Sequence, residues 1–276
     1  MAESELRPQH PHGTCQRRLI STSYHKLVPP ITTRKPGLLM QLERVLHSQG
    51  FGSRKTCRIM VRRGEITVNG EPCEDPFADF DTTNLKFNWR NEAWEYREQA
   101  YLMLHKPANY ECSHKPQHHP SIFSLLPPQL LERGVQCIGR LDEDTTGLML
   151  LSDNGQFIHK MSSPKWKVPK VYEVTTKHAV DAEQIAALME GVQLVDEPAP
   201  IAALAVKKIS DNVIHMTLAE GKYHQVKRMV AASSNRVEGL KRIRIGDLDL
   251  PPDLAVGQWR WLTDSEMTKL TSAERT

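Results

Sequence analysis

From Leu38 onward apolar residues recur with clear periods. Leu38, Leu39, Leu42, Val45 and Leu46 follow a helical spacing that Gly50 closes, and this predicts a first helix. Ser53 then stands as an N-cap before Cys57, Met60 and Val61 on one helical face, with Gly64 as the stop. Ile66-Thr67-Val68 ahead of Asn69-Gly70 predicts a strand entering a tight hairpin. Residues 89–100 are polar and charged and read as a linker. Beyond them Tyr101–His105 predicts a strand stopped by Lys106-Pro107, and the runs Val135–Ile138 and Leu148–Leu151 predict buried strands around the loop 139–147. Lys170–Thr176, Ile201–Ile209, Val213–Leu218 and Ile243–Leu250 read as further strands. Helices are expected at Asp181–Glu190, where Asp181 and Gln184 form a capping box, at Lys222–Ser234, and after Thr263-x-x-Glu266. Strands outnumber helices and often follow one another directly. That favours an α+β fold: a small helical and hairpin domain, then a mixed, mainly antiparallel sheet.

Composition narrows the class. No run approaches the roughly 20 apolar residues of a membrane helix, and the mean hydropathy is −0.49, so no membrane partner is expected. The five cysteines, Cys15, Cys57, Cys73, Cys112 and Cys137, form no C-x-x-C pair. They read as reduced thiols of a cytoplasmic protein. The net charge of +3 hides an asymmetry. Residues 1–37 carry six Lys/Arg against two acids, residues 38–70 repeat that balance, and the remainder is net acidic. Residues 1–37 lack apolar periodicity and read as a disordered basic extension. Met40, just before the patterned region, is the expected natural start. A basic block on an acidic body suits a module that grips a polyanion. Its cations are Arg44 on the first helix and Arg54, Lys55, Arg58, Arg62 and Arg63 along the second, where each neutralised phosphate would release counterions.

The stretch LLMQLERVLHSQGFGSRKTCRIMVRRGEITVNGEP resembles the S4 RNA-binding domain. Gln41-Leu42-Glu43-Arg44 falls at the family's RLDK-like start, with Gln41 a departure. Ser53-Arg54-Lys55 and Gly64–Gly70 match its other two signatures. The resemblance implies an RNA-binding domain at about 38–88.

The densest chemistry is the loop Gly139-Arg140-Leu141-Asp142-Glu143-Asp144-Thr145-Thr146-Gly147. Three carboxylates on a tight turn between buried strands suit acid–base or nucleophilic work. A solvated acidic loop, or a calcium site short of ligands, is the alternative on these residues alone. The string resembles the GRLDxxTTGL motif of RsuA-type pseudouridine synthases, and the matches around it run in that family's order from residue 38 to the C-terminus. The resemblance implies a catalytic domain at 101–276 that flips one uridine of ribosomal RNA out of its stack and isomerises it. Small-subunit 16S rRNA, free or in a pre-ribosomal particle, is the expected substrate. Large-subunit rRNA and a non-catalytic assembly factor are the rival readings.

By the same resemblance Asp142 is the catalytic aspartate and Arg140 holds the extruded nucleotide. Tyr172 in Val168-Pro-Lys170-Val-Tyr172 stacks on the base, with Lys170 on the same strand face. Lys227 in Glu220-Gly-Lys-Tyr-His-Gln-Val-Lys227-Arg228 pairs with Asp142, while Arg228 points elsewhere, because helical neighbours diverge by about 100°. Lys106, in a His105-Lys-Pro-Ala-Asn109 version of the family's N-K-P-x-G turn, approaches phosphate or substrate. Asn109 replaces the glycine and tolerates its positive φ. The reaction is redox-neutral and implies no cofactor. Cys112-x-His114-x3-His118-His119 has zinc-ligand residue types but no paired spacing, so no metal is expected. Trp94, Trp259 and Trp261 read as packing residues, and a monomer is the expected state.

Overall fold

The computed structural model describes residues 37–271. The basic extension, except for its last residue, lies outside them. The amino-terminal module opens with strand β1 (Leu39–Gln41), helix α1 (Leu42–Ser48) and helix α2 (Arg54–Arg62). Strands β2 (Ile66–Val68), β3 (Glu71–Pro72), β4 (Asp79–Asp81), β5 (Lys86–Trp89) and β6 (Glu92–Glu95) complete it. The second part carries β7 (Tyr101–Lys106), α3 (Pro128–Glu132), β8 (Gln136–Cys137), β9 (Thr146–Ser152), α4 (Gly155–Ser162) and β10 (Lys170–Thr176). It continues with α5 (Ala182–Glu190), β11 (Ala205–Ser210), β12 (Val213–Leu218), α6 (Gln225–Ala232), β13 (Val237–Ile245), β14 (Leu248–Asp249), β15 (Trp259–Trp261) and α7 (Asp264–Thr271).

The module's core is Leu42, Val45, Leu46, Phe51, Cys57, Met60, Val61, Ile66, Val68, Leu85 and Phe87, so the apolar positions of both predicted helices do point inward. Ser53 caps α2 as expected, accepting from the Thr56 N–H. Two expectations change. Leu38 and Leu39 do not extend the first helix: β1 pairs with β4, and both leucines are 65% exposed. The helix starts at Leu42 because the N–H groups of Leu42 and Glu43 are taken by the carbonyls of Ala78 and Pro76. The presumed linker 89–100 also holds structure. Arg90 and Asn91, both at positive φ, turn the chain into β6, which pairs with β5 so that Trp94 opposes Phe87 and packs edge-on against Phe51. A half-exposed edge strand with one tryptophan on its apolar side has too little hydrophobic pattern to announce itself.

Only residues 96–100 cross to the second part, and the crossing is tied down. Gln49, buried at the end of α1, exchanges hydrogen bonds with the backbone of Arg97 and accepts another from Arg133, which also pairs with Asp153. The Asp153 carboxylate takes the Ala100 N–H.

The second part is built on one sheet of order β11-β12-β10-β13-β9-β7-β15, with β8 and β14 paired at its side. Every pairing is antiparallel except β13 with β9, which matches the mainly antiparallel expectation. Leu102, Leu104, Met149 and Leu151 enter one core, whereas Met103, Leu148 and Leu150 enter another on the opposite face. The central strands therefore read as unbroken apolar runs rather than alternating ones. At the parallel contact Gly147 (φ +108°) faces Arg242, and a Cβ there would lie 2.2 Å from the Arg242 carbonyl oxygen. That close approach sets where β9 begins and the acidic loop ends.

Candidate active site

The loop 139–145 leaves β8 and re-enters the sheet at β9, and three contacts hold it from beneath. Lys106, fully buried at the end of β7, donates to the carbonyls of Pro107, Glu143 and Thr145 at 2.9–3.0 Å. Its three N–H groups are thereby matched by three acceptors. Burial pushes its pKa down, opposed by the negative groups around it. The expectation that Lys106 approaches substrate is therefore corrected: its ammonium is a clip under the loop, with no surface left for a phosphate. The Cys112 thiol lies against Leu141, 3.4 Å from its carbonyl and 3.5 Å from its N–H. Asn109 takes the left-handed conformation (φ +61°) and donates its N–H to the Glu143 carbonyl, so the turn survives without glycine.

So held, the loop presents Arg140 and Asp142 to a pocket whose walls include Tyr172, Leu218, His224 and Leu240. Arg140 is exposed, whereas Tyr172 is 8% exposed and part of the core. One Asp142 carboxylate oxygen lies 3.3 Å from the Lys227 ammonium and the other 3.4 Å from His224 Nε2. Lys227 comes from the first turns of α6, as expected. It also binds Asp144 through both carboxylate oxygens, at 2.7 and 2.8 Å, which is closer than its approach to Asp142. Burial works against the Lys227 charge, but the Asp144 hydrogen bond and the two carboxylate charges outweigh it and hold its pKa above the ordinary lysine value. Burial likewise opposes ionisation of Asp144, and Lys227 overcomes it. Arg228 turns away to Asp196 and the Tyr223 carbonyl.

Two participants went unread in the sequence. Asp144 falls on an x position of the GRLDxxTTGL motif, yet it shares the lysine. His224 was unassigned although it touches Asp142. Its backbone is left-handed (φ +47°, ψ +33°), a conformation costing a non-glycine residue about 1–2 kcal/mol, and it forms the N-cap of α6. Strain of that kind beside the central carboxylate was not legible in residue types.

Lys170 lies two residues before Tyr172 on β10 and outside the pocket lining. Burial, and then the nearby Arg242 charge, lower its pKa to about 8. Among the described residues no hydrogen bond or ion pair reaches its ammonium. Arg242 itself is buried and donates to the Leu148 carbonyl. The zinc-type donors do not converge: Cys112 lies on Leu141, His114 stacks on Phe123 at 3.6 Å, and His119 faces Glu143. Among the six module cations, Arg44, Arg54, Lys55, Arg62 and Arg63 are exposed. Arg58 instead pairs with the buried Glu43 and covers Phe77.

A carboxylate steadied by two basic groups, with an arginine at the mouth and a tyrosine in the wall, defines an enzyme site able to attack or deprotonate a substrate held against an aromatic surface. Comparison with known proteins gives the class its family. The RNA pseudouridylate synthase family profile matches residues 100–232. An RNA pseudouridine synthase of Bacillus subtilis is 36% identical over 85% of this chain and all of its own. The ribosomal small subunit pseudouridine synthase A of Vibrio parahaemolyticus is 36% identical over 83% of this chain and 98% of its own. That of Haemophilus influenzae is 35% identical over 84% and 99%. A solved pseudouridylate synthase superposes with a TM-score of 0.60 at 34% identity, covering 84% of this chain and all of that one. This chain belongs to the RNA pseudouridine synthase family.

Proposed function

We propose that the enzyme isomerises one uridine of small-subunit ribosomal RNA to pseudouridine, with Asp142 as the catalytic carboxylate. The observation that carries this reading is the Asp142 carboxylate between Lys227 and His224 in a pocket that Arg140 and Tyr172 also line. Near-full-length likeness to enzymes named for the small ribosomal subunit supports the substrate. The reaction breaks the bond from the ribose carbon to the base nitrogen, turns the base, and joins the same sugar carbon to a ring carbon, which gives up its hydrogen as a proton while the freed nitrogen takes one up. An ionised Asp142 serves as nucleophile at the sugar carbon or as base toward a sugar proton. Lys227 and His224 hold it in place, 3.3 and 3.4 Å from its two oxygens. Tyr172 offers a face to the extruded base, Arg140 a charge to its nucleotide, and Lys170 a cation without an anion of its own. Electrons balance within the substrate, so this reading calls for no cofactor.

The amino-terminal module, about residues 38–88 with β6 added, acts as an S4-type RNA grip. Arg44, Arg54, Lys55, Arg62 and Arg63 face phosphates, and Arg58 braces the helix that carries them. The enzyme works in the cytoplasm as a monomer, on ribosomal RNA or a pre-ribosomal particle. Ribosomal RNA from cells lacking the gene, mapped by carbodiimide treatment and primer extension, tests the proposal. The expected result is loss of one small-subunit stop, restored by the wild type and not by Asp142→Asn. A missing stop in large-subunit RNA would move the substrate, and an unchanged map would leave an assembly factor as the better account.

A further inference from the structure

The turn entering α6 carries an aromatic shelf that the reaction so far leaves without a task. The Tyr223 side chain is 76% exposed, an unusual position for a tyrosine beside a catalytic centre. Its ring lies parallel to that of His224, centroids 3.9 Å apart and planes 18° apart. The other edge of the His224 ring touches Asp142. Tyr223 is thus one stacked ring removed from the catalytic carboxylate, with its inner face covered and its outer face open.

The shelf is rigid. The turn 222–225 is closed twice, by the Gln225 N–H on the Lys222 carbonyl and by the Lys222 N–H on the buried Gln225 side chain. Arg228 donates to the Tyr223 carbonyl. Lys222, on the other side, is paired with Glu197 and Glu220. A fixed ring loses little freedom when something stacks on it.

Flipping a base out of its stack bares a face of each neighbour left behind. A preordered aromatic plane between Lys222 and His224, which both line the pocket, can cover such a face, and stacking accepts any base because all present a π-surface. We propose that Tyr223 stacks on the unpaired base immediately flanking the target uridine and so forms a second nucleotide subsite. This rests on the RNA-isomerase reading above.

The test uses the full-length enzyme and an RNA oligonucleotide spanning the uridine found by the knock-out map. Tyr223→Ala should raise KM about tenfold, the size of a typical base–aromatic stack, with kcat falling by less. Tyr223→Phe should restore KM to within about twofold, because the face and not the hydroxyl is used. An abasic residue on one side of the target should cost the wild type the same factor and cost Tyr223→Ala little more. The inference is overturned if KM is unchanged in Tyr223→Ala, if Tyr223→Phe is as poor as Tyr223→Ala, or if abasic and alanine effects multiply on both sides of the target. A knock-out map with no lost stop overturns the function proposed above and this inference with it. A wild type that turns over while showing any of the former results overturns the inference alone.

Discussion

Helix α2 and the loop 139–147 are both short, highly charged segments, and they use charge in opposite ways. On α2 three of four cations stay in solvent, and Arg58 alone is drawn inward by Glu43. In the loop Asp142 and Asp144 share one lysine, Glu143 faces His119, and the backbone is clamped by Lys106. Exposed cations give an adaptable, salt-sensitive grip on phosphates. Paired and clamped carboxylates give fixed geometry at a reacting atom. Residue type is the same kind of signal in both segments, and the partners beneath decide which use results.

Substitutions sharpen that contrast, beginning with the loop. Lys227→Met should lower kcat by about 10²–10³, the range for losing one fixed electrostatic partner at a reaction centre, measured in single turnover at saturating RNA. Asp144→Asn should leave much more activity, because Lys227 keeps Asp142; an equal loss would make Asp144 the essential carboxylate. Lys106→Met removes the ammonium that the Pro107, Glu143 and Thr145 carbonyls share and should cost about 3 kcal/mol of stability, a fall in Tm of about 10 °C. An unchanged Tm would show that the clamp carries no stability.

Smaller effects separate the two regions further. Neutralising Arg54, Lys55 and Arg62 together should reduce the salt slope of RNA binding by about 2–3 and leave kcat at saturation unaltered. A lower kcat with an unchanged slope would break the division between grip and chemistry. Lys170 supplies a pH test. Its folded pKa of about 8 lies below the ordinary lysine value of 10.5, so between those values the unfolded chain binds more protons and stability rises with pH. Lys170→Met should flatten that rise and gain about 2 kcal/mol at pH 7, read by denaturant titration at pH 7 and pH 10.

Much of this was legible in the sequence. The strands Lys170–Thr176 and Val213–Leu218 appear with the expected bounds, since alternation and turn residues agree there. Asp142, Arg140, Tyr172 and Lys227 come together as the motif resemblance implied, with Arg228 turned away. What was not legible depends on direction and on distant partners. Lys106 reads as a free cation until three carbonyls, two of them about forty residues ahead, are seen to converge on it. Asp144 and His224 gain their places only when α6 packs beside the loop. Leu38 and Leu39 fit a helical period but pair as a strand, because carbonyls from Pro76 and Ala78 start the helix later. Strand β6 hides in a polar segment because an edge strand needs only one half-buried side chain, Trp94, on its apolar face.

The central claim is that Asp142 performs the chemistry while the basic module holds the RNA. Its most direct test compares purified wild type with Asp142→Asn on unmodified small-subunit ribosomal RNA, reading pseudouridine formed and RNA affinity in the same samples. The account predicts no measurable pseudouridine from Asp142→Asn, with a Kd within about twofold of the wild type. Pseudouridine formed at an undiminished rate by Asp142→Asn would contradict it.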